Sequence, residues 1–233
     1  MRAEVDVSGV EEVELKAAAA DFRIGFADVS TAVLSVEGEE ADYWTLSREA
    51  NLLKISSGPR RPLSGAGAKL LAGVKTNAVL TLPQALNDGR LVLELDIAAC
   101  KFHGAGAFLA VEADLAASEF DLAAQVQEAR IGLAAGKARV LLENTAKVEL
   151  KIAAGSLSGW LKGGAPSFLR VEVATGSADL IVPPVPYRVK KGSVLGSTDL
   201  RVKEDASSPS MIDIEVAVGQ VSIEPQVEPG AQL

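Results

Sequence analysis

The sequence contains one cysteine, Cys100, and one histidine, His103. A single cysteine can neither form an internal disulfide nor anchor a cysteine-based metal cluster. A single histidine excludes a histidine-rich zinc site, and a Ser-His-Asp triad would have to use His103 alone. Aromatic residues make up only 4% of the chain, whereas hydrophobic residues make up 48%. The core must therefore be built from valine, leucine, isoleucine and alanine.

The chain also lacks long apolar runs and clusters of basic residues. No stretch of about 18 apolar residues could span a membrane, and the N-terminus has no apolar segment of signal-peptide length. Because the net charge is −8, we expect neither nucleic acid nor an anionic membrane as a partner. No dinucleotide-binding glycine loop, P-loop or zinc-protease motif occurs, and we expect no cofactor. The sequence as written predicts a cytoplasmic protein, and a missing leader or anchor would place it at the cell surface.

The most informative feature present is an internal repeat. The segment Leu93–Phe102 has the same pattern of apolar and acidic residues as the segment Val111–Phe120, which begins 18 residues later. A repeat period near 20 residues, combined with the alternation typical of strands, indicates a solenoid.

The copies align on one small residue. The aligned positions are Ala20, Cys100, Ser118, Gly136, Gly155, Gly176, Gly196 and Gly219, and from Cys100 onward they are 18 to 23 residues apart. Apolar residues stand seven, five and three positions before the small residue and two and four positions after it. The inward-facing set therefore changes phase at the small residue, which predicts a bend in the strand. A small residue suits this position because neighbouring backbones crowd at such a bend.

These patterns predict an all-β, single-domain β-solenoid, a right-handed β-helix with turns of about 18–23 residues. We expect Phe102 and Phe120 to form a short aromatic ladder inside it. The predicted segments are one domain over 1–224, an N-terminal β region over 13–90 with an irregular loop at 58–73, regular repeats over 91–224, and a disordered tail over 225–233.

Two rows of outward-facing residues are informative. Six positions before the small residue the charges mostly alternate in sign, which favours in-register neighbours by a few tenths of a kcal/mol per pair. Chance alternation on a solvated face is the alternative. The row consists of Glu94, Glu112, Arg130, Glu149, Arg170, Lys190 and Asp213. Two positions before the small residue stands a nearly continuous row of alanines, which is either half-buried at an early bend or an exposed strip that another chain or the 58–73 loop covers.

The strongest site candidates are Glu94, Asp96, Glu112 and Asp114, which occupy outward positions on two consecutive copies. In-register neighbours lie about 5 Å apart, so like charges there repel unless a cation or solvent screens them. Carboxylate oxygens suit Ca²⁺, so a weak cation site is one hypothesis and a solvated acidic face is the other. Catalysis by a carboxylate pair is least expected, because a flat outward face offers no concave pocket.

Neither Cys100 nor His103 indicates chemistry. Cys100 occupies the small-residue position, where other copies carry glycine, alanine or serine. His103 falls three positions later, in an outward row that is polar in every copy. We therefore expect a structural role for Cys100 and surface exposure for His103.

The repeats resemble those of the bacterial putative adhesin family, a group of β-helical domains. The resemblance covers about residues 13–224 and lies in turns that combine a small residue, an acidic or hydroxyl residue and alternating aliphatic residues. The closest matches are Ala20–Ile24, Gly155–Leu157, Thr175–Leu180, Gly196–Val202 and Gly219–Ile223. The chain departs from the family pattern at Ala20, Cys100 and Ser118, which replace the glycine. The resemblance implies a β-helical fold and supplies no catalytic residue.

The function predicted from these observations is a non-enzymatic scaffold for binding or structure, with an unidentified protein or cell-surface partner. Self-association through the alanine row or the end copies is also open. Two alternatives are a self-assembling scaffold similar to the bactofilins and a carbohydrate-active β-helix that uses the acidic cluster.

Overall fold

The computed structural model describes residues 1–38, 40–58 and 76–227 of the 233-residue chain. Except for Gly58, the predicted irregular loop at 58–73 lies outside the described residues, as do residues 228–233 of the predicted tail.

The described residues form seventeen strands and two short 3-10 helices. The helices span Ala41–Tyr43 and Gln84–Leu86. The strands are β1 (Arg2–Asp6), β2 (Glu12–Ala18), β3 (Asp21–Ala27), β4 (Thr31–Glu37), β5 (Trp44–Glu49), β6 (Leu52–Ser57), β7 (Asn77–Pro83), β8 (Val92–Ala98), β9 (Lys101–Ala116), β10 (Ser118–Leu133), β11 (Gly136–Glu143), β12 (Lys147–Lys162), β13 (Phe168–Val182), β14 (Arg188–Ser193), β15 (Ser197–Leu200), β16 (Met211–Val216) and β17 (Gln220–Pro225).

All of these strands belong to one mixed sheet, and most of its pairings are parallel. The antiparallel pairs are β1–β4, β4–β7 and β5–β6, near the N-terminal end of the chain. The predicted all-β, single-domain class is therefore confirmed.

Two series of pairings run through the sheet. Series A joins the residues before the small position, in the order β6, β2, β8, β9, β10, β12, β13, β16 and β14. Series B joins the residues after it, in the order β4, β7, β3, β9, β10, β11, β12, β13, β17 and β15. The long strands β9, β10, β12 and β13 belong to both series.

The register across neighbouring strands is the one that the repeat alignment predicts. In series A, Leu93 pairs with Val111 and Ile97 pairs with Leu115. All four side chains are buried in the core. Burial of these aliphatic rows on one side of the sheet is the main source of stability, at roughly 25 cal/mol per Å² of apolar surface removed from water.

The order of the last strands differs from their order in the chain. The alignment places the copies one after another, but β16 and β17 lie between β13 and the earlier strands β14 and β15. The inward rows explain this order. β14 and β15 carry Lys191, Ser193 and Thr198 at inward positions, and a polar strand tolerates an end of the sheet. Ile214 and Val221 of the inserted strands are fully buried.

The small-residue row is confirmed as a row of close backbone contacts. A Cβ built on Gly155 would lie 2.4 Å from the carbonyl oxygen of Gly136, and one on Gly176 would lie 2.3 Å from that of Gly155. Gly155 has φ +122° and Gly176 has φ +144°, a region that side-chain-bearing residues rarely adopt. Glycine is therefore required at these positions by both contact and conformation.

Aromatic side chains form a longer ladder than the sequence predicts. Phe102 and Phe120 stack with ring centroids 5.0 Å apart. Phe22 continues the ladder at 6.1 Å from Phe102, and Trp44 lies 5.9 Å beyond Phe22. Trp44 joins because antiparallel strand β5 brings it beside the first copy of the repeat, a contact that the repeat alignment does not contain.

Candidate functional site

The four predicted carboxylates lie on neighbouring strands of series A. Glu94 pairs with Glu112, and Asp96 pairs with Asp114. The acidic face extends to Glu14, which pairs with Glu94 on the other side. Together with Lys16, these residues line a shallow depression of about 290 Å³.

The charges in this cluster are only partly compensated. Burial raises the pKa of the Glu94 carboxyl, and the nearby carboxylates of Glu12, Glu112 and Glu14 raise it further. Lys16 forms an ion pair with Glu14, and this contact, aided by Asp96 and Glu94, raises the pKa of the lysine. Lys16 therefore already supplies a cation at one edge of the cluster.

The cation hypothesis is not strengthened by this geometry. Among the described residues, no three or more Asp, Glu, His or Cys side chains are arranged to hold a metal ion. Ca²⁺ requires six to eight oxygen ligands, and the four carboxylates form two parallel rows instead of converging on one point. The cation site at Glu94, Asp96, Glu112 and Asp114 stays a prediction.

Cys100 and His103 lie where their rows place them. Cys100 is 2% exposed, and its Sγ lies 3.4 Å from the Ala98 carbonyl oxygen. The Cys100 amide donates a hydrogen bond to Ser118 Oγ at 3.2 Å. The His103 side chain is 47% exposed, with its Nδ1 3.4 Å from Asp121 Oδ2.

A groove of about 980 Å³ crosses the outward side of series A. We call it the alanine groove, because alanines from successive strands form its floor. These are Ala116, Ala134, Ala153, Ala174 and Ala217, all exposed to solvent. Earlier in the same row, Ala18 and Ala98 are half-buried. The row thus faces outward as its alternation predicts, and it forms the floor of a wide, open depression.

The next outward row forms one wall of the alanine groove. Its members in sheet order are Asp96, Asp114, Gly132, Lys151, Glu172, Glu215 and Gly192. The two glycines leave gaps in this wall. A Cβ on Gly132 would lie 2.8 Å from Asp114 Oδ1, so the Asp114 carboxylate occupies the space that the glycine leaves.

A third outward row carries alternating charges. The strand order in the sheet makes the alternation complete from Glu112 to Lys190, whereas Glu94, which precedes them in the row, pairs with Glu112. We call Glu112, Arg130, Glu149, Arg170, Asp213 and Lys190, in sheet order, the charged row. Arg130 bridges Glu112 at 3.2 Å and Glu149 at 3.4 Å. In chain order Lys190 would follow Arg170 and place two cations together. The insertion of β16 puts Asp213 between them.

Asp213 is the unusual member of the charged row. Its side chain is only 6% exposed, and its Oδ1 lies 3.4 Å from Lys190 Nζ. Within residues 1–38, 40–58 and 76–227, nothing donates a hydrogen bond to that oxygen. The Lys190 ammonium, which also donates a hydrogen bond to Asp213 Oδ2 at 3.5 Å, offsets part of the cost of burying this carboxylate. Asp213 also lines the alanine groove.

Sequence reasoning missed an apolar row on series B. Ala105, Ala123, Leu141, Trp160 and Ile181 pair in register, five positions after the small residue. Trp160 is 38% exposed, and Lys162 Nζ lies 4.5 Å from its ring centroid. Most of this row lines a depression of about 550 Å³. Extending the alignment by one more outward position would have revealed it.

No helix in the described part of the chain is long and apolar enough to cross a membrane.

Comparison with known proteins gives structural similarities only. No protein-family model matches the chain, and a search of curated proteins finds no match. The chain is similar to the structure of a putative cell adhesion protein from Clostridium sporogenes, with 13% identity and a TM-score of 0.41 over 97% of this chain and 98% of that one. A putative adhesin from Parabacteroides distasonis has 10% identity and a TM-score of 0.43 over 97% and 96% of the two chains.

A putative adhesin from Bacteroides fragilis has 13% identity and a TM-score of 0.27 over 96% of each chain. The resemblance predicted from the sequence is thus confirmed as a structural likeness over nearly the full chain. A likeness at such low identity concerns the fold alone.

Proposed function

We propose that the chain forms a right-handed β-solenoid and acts as a non-enzymatic binding scaffold whose contact surface is the alanine groove. The in-register parallel pairing of the copies from β8 to β13 supports the solenoid, since each of these copies returns to the same position beside its predecessor. Parallel crossover connections are right-handed in about 98% of cases, which supports the handedness.

The observation that carries this function is the alanine groove itself. Its floor of exposed methyl groups continues across five strands and is bordered by a wall of charged residues. Contiguous exposed apolar surface rimmed by polar residues marks interaction sites. Because neighbouring strands are about 4.8 Å apart, the floor is about 19 Å long, which suits a macromolecular partner better than a small molecule.

The openness of the groove supports a binding role over a catalytic one. Carboxylate catalysis depends on a site that excludes water and shifts the pKa of one acid. Asp96 and Asp114 stand at one end of an open surface, next to each other in the same row.

The proposal is tested on an array of polysaccharides and extracellular-matrix proteins. We expect the protein to bind a subset of the array, and we expect Ala153→Arg to abolish that binding because the arginine fills the floor of the groove. The matched control is Ser158→Arg, which places the same side chain on an outward position of series B. Binding that survives Ala153→Arg, or an array without any bound component, would contradict the proposal.

A further inference from the structure

The order of charges in the charged row makes this row complementary to a reversed copy of itself. Its six members, Glu112 to Lys190 in sheet order, alternate strictly between acid and base. An alternating row with an even number of members has the opposite sign at every position when it is reversed. The row is therefore complementary to its own reversed copy.

We infer that a second copy of this chain docks on the alanine groove, related by a two-fold axis that lies parallel to the strands, between Glu149 and Arg170. This partner is proposed for the same surface as the binding function above and rests on it. In this arrangement Glu149 faces Arg170 of the second copy, Arg130 faces its Asp213, and Glu112 faces its Lys190. Each contact occurs twice, because a two-fold interface is self-complementary.

The neighbouring wall of the groove fits the same arrangement. Lys151 faces Glu172 of the second copy, so this row also places opposite charges together. Gly132 faces Glu215, and Gly192 faces Asp114. Open space for a partner side chain is present at Gly192, where an added Cβ would meet no atom closer than 3.8 Å, whereas the Asp114 carboxylate of the same chain occupies the space at Gly132.

In the two-fold arrangement, the floor of the alanine groove faces only small side chains of the second copy. Ala153 faces Ala174 of the second copy, and Ala134 faces Ala217. Ala116 faces Val194, which is 81% exposed in the single chain. Small residues allow two backbones to approach closely, so the charged rows on the two copies come within contact distance.

Asp213 belongs to the same arrangement. Its buried carboxylate pairs with Lys190, whose Nζ lies 3.4 Å from Oδ1 and donates a hydrogen bond to Oδ2 at 3.5 Å. The two-fold arrangement places the Arg130 guanidinium of the second copy opposite this carboxylate. A guanidinium has five N–H donors, and its bonds to Glu112 and Glu149 leave others available.

The register is specific. Moving the axis onto the strand of Glu149 would place Glu149 against itself and Arg130 against Arg170. The same shift would place Lys151 against Lys151. Like charges across an interface disfavour wrong registers, so only the axis between Glu149 and Arg170 satisfies both rows.

The size of this face predicts a weak dimer. Six strands span about 24 Å, and the three outward rows span about 13 Å along the strands. The buried surface would be about 300–400 Å² per copy, below the roughly 800 Å² of a stable specific complex. We therefore expect association only at high protein concentration.

The test is a mixing experiment with two charge-reversal variants. Sedimentation velocity from about 10 μM to about 1 mM covers the range of a weak dimer. We expect the natural chain to associate, and we expect Glu149→Arg alone and Arg170→Glu alone each to lose association about tenfold or more. In a mixture of the two variants every contact again joins opposite charges, so association should return. Arg139→Glu, on the outward side of series B, is the control and should associate like the natural chain.

Association in the mixture cannot result from misfolding of either variant, because a misfolded chain would not regain a specific partner. A natural chain that stays monomeric at about 1 mM, or a mixture that stays monomeric, would overturn the inference. If Ala153→Arg abolishes array binding while the natural chain stays monomeric, the dimer is wrong and the binding scaffold stands. If association follows the expected pattern but the protein binds nothing on the array, the dimer stands and the binding scaffold is wrong.

Discussion

The small-residue row shows how single residues control the bend between the two series. Where the small residue is glycine, at Gly136, Gly155 and Gly176, its backbone angle φ lies between +113° and +144°. The copies with Cys100 and Ser118 use a different backbone, in which the preceding Ala99 and Ala117 take φ +54° and +53°. The left-handed alanine makes room for a side chain at the next position, which explains why cysteine and serine replace glycine there.

Gly155→Ala tests this account. The new Cβ would clash with the Gly136 carbonyl oxygen and force an unfavourable φ, and together these effects should cost about 2–4 kcal/mol of unfolding free energy. Urea denaturation measures the loss. Gly164→Ala is the matched control, because a Cβ there meets no atom within 4 Å. Equal stability of the two variants would show that the backbones are not in close contact.

Glu94→Gln tests the electrostatics of the acidic face. The pKa of Glu94 is raised in the folded chain, so its ionised form lowers stability at a pH above its raised folded pKa, and the penalty disappears as the pH falls below its unfolded pKa. Glutamine removes both the burial cost of the charge and its repulsion by the neighbouring carboxylates, so it should stabilise the fold at pH 7 by about 0.2–1 kcal/mol.

The gain should vanish near pH 3, where the natural glutamate is protonated. Urea denaturation at the two pH values measures it. Glu143→Gln is the control, since Glu143 pairs with Gln125 and Lys162 instead of carboxylates. A gain that persists at pH 3 would mean that the charge of Glu94 is not its cause.

At the level of elements, β14 is built to end the sheet. Lys191 and Ser193 occupy inward positions that carry Ile214 and Val216 on the neighbouring strand β16. Lys191 Nζ binds Glu204 at 2.8 Å. Inward-facing charge on an edge strand opposes pairing with another sheet, so this end does not favour the end-to-end assembly of a bactofilin-like scaffold.

Replacing the polar inward residues of β14 by apolar ones should create an exposed apolar edge that associates with other chains. We expect Lys191→Ile combined with Ser193→Val to form species larger than a dimer, because the apolar rows would then continue to the edge. Light scattering as a function of concentration measures the change. The pair Lys137→Ile and Ser156→Val changes the same residue types on outward positions and serves as control. A double variant at β14 that stays as small as the control would show that another feature protects this end.

At the level of the molecule, stability depends on neighbours along the sheet. The middle strands β10, β12 and β13 pair on both sides, and their aliphatic rows are buried. At the end, β14 pairs with β16 alone among the described strands of series A, and nearly all of its side chains are exposed. Repeat proteins lose structure first where a copy has only one neighbour.

Hydrogen exchange should follow this gradient. We expect the amides of β14 and β15 to exchange fastest among the parallel strands and those of β10 and β12 to exchange slowest, by at least about tenfold. Mass spectrometry of peptic fragments measures the rates. Strands β16 and β17 should be well protected despite their later place in the chain, because they lie inside the sheet. Rapid exchange in β16 would contradict the strand order.

The repeat pattern predicted most of the register, because a period of two and a recurring small residue leave one way to bury every aliphatic row. It placed Glu94 beside Glu112 and Asp96 beside Asp114 correctly. It could not reveal the alanine groove, because alternation shows only which side a residue faces and not the curvature of that side. Trp160 was missed for a simpler reason: its row stands five positions after the small residue, one outward position beyond those that were aligned.

The sequence by itself determined which residues face inward, where the chain bends, and which rows the lone cysteine and histidine occupy. These are local consequences of alternation and size. Only the tertiary structure decided that β16 and β17 lie between β13 and β14. Strand order is a global choice, governed by which aliphatic rows can be covered on both sides. That insertion completes the alternation of the charged row and brings Asp213 into the groove, so the proposed dimer depends on it.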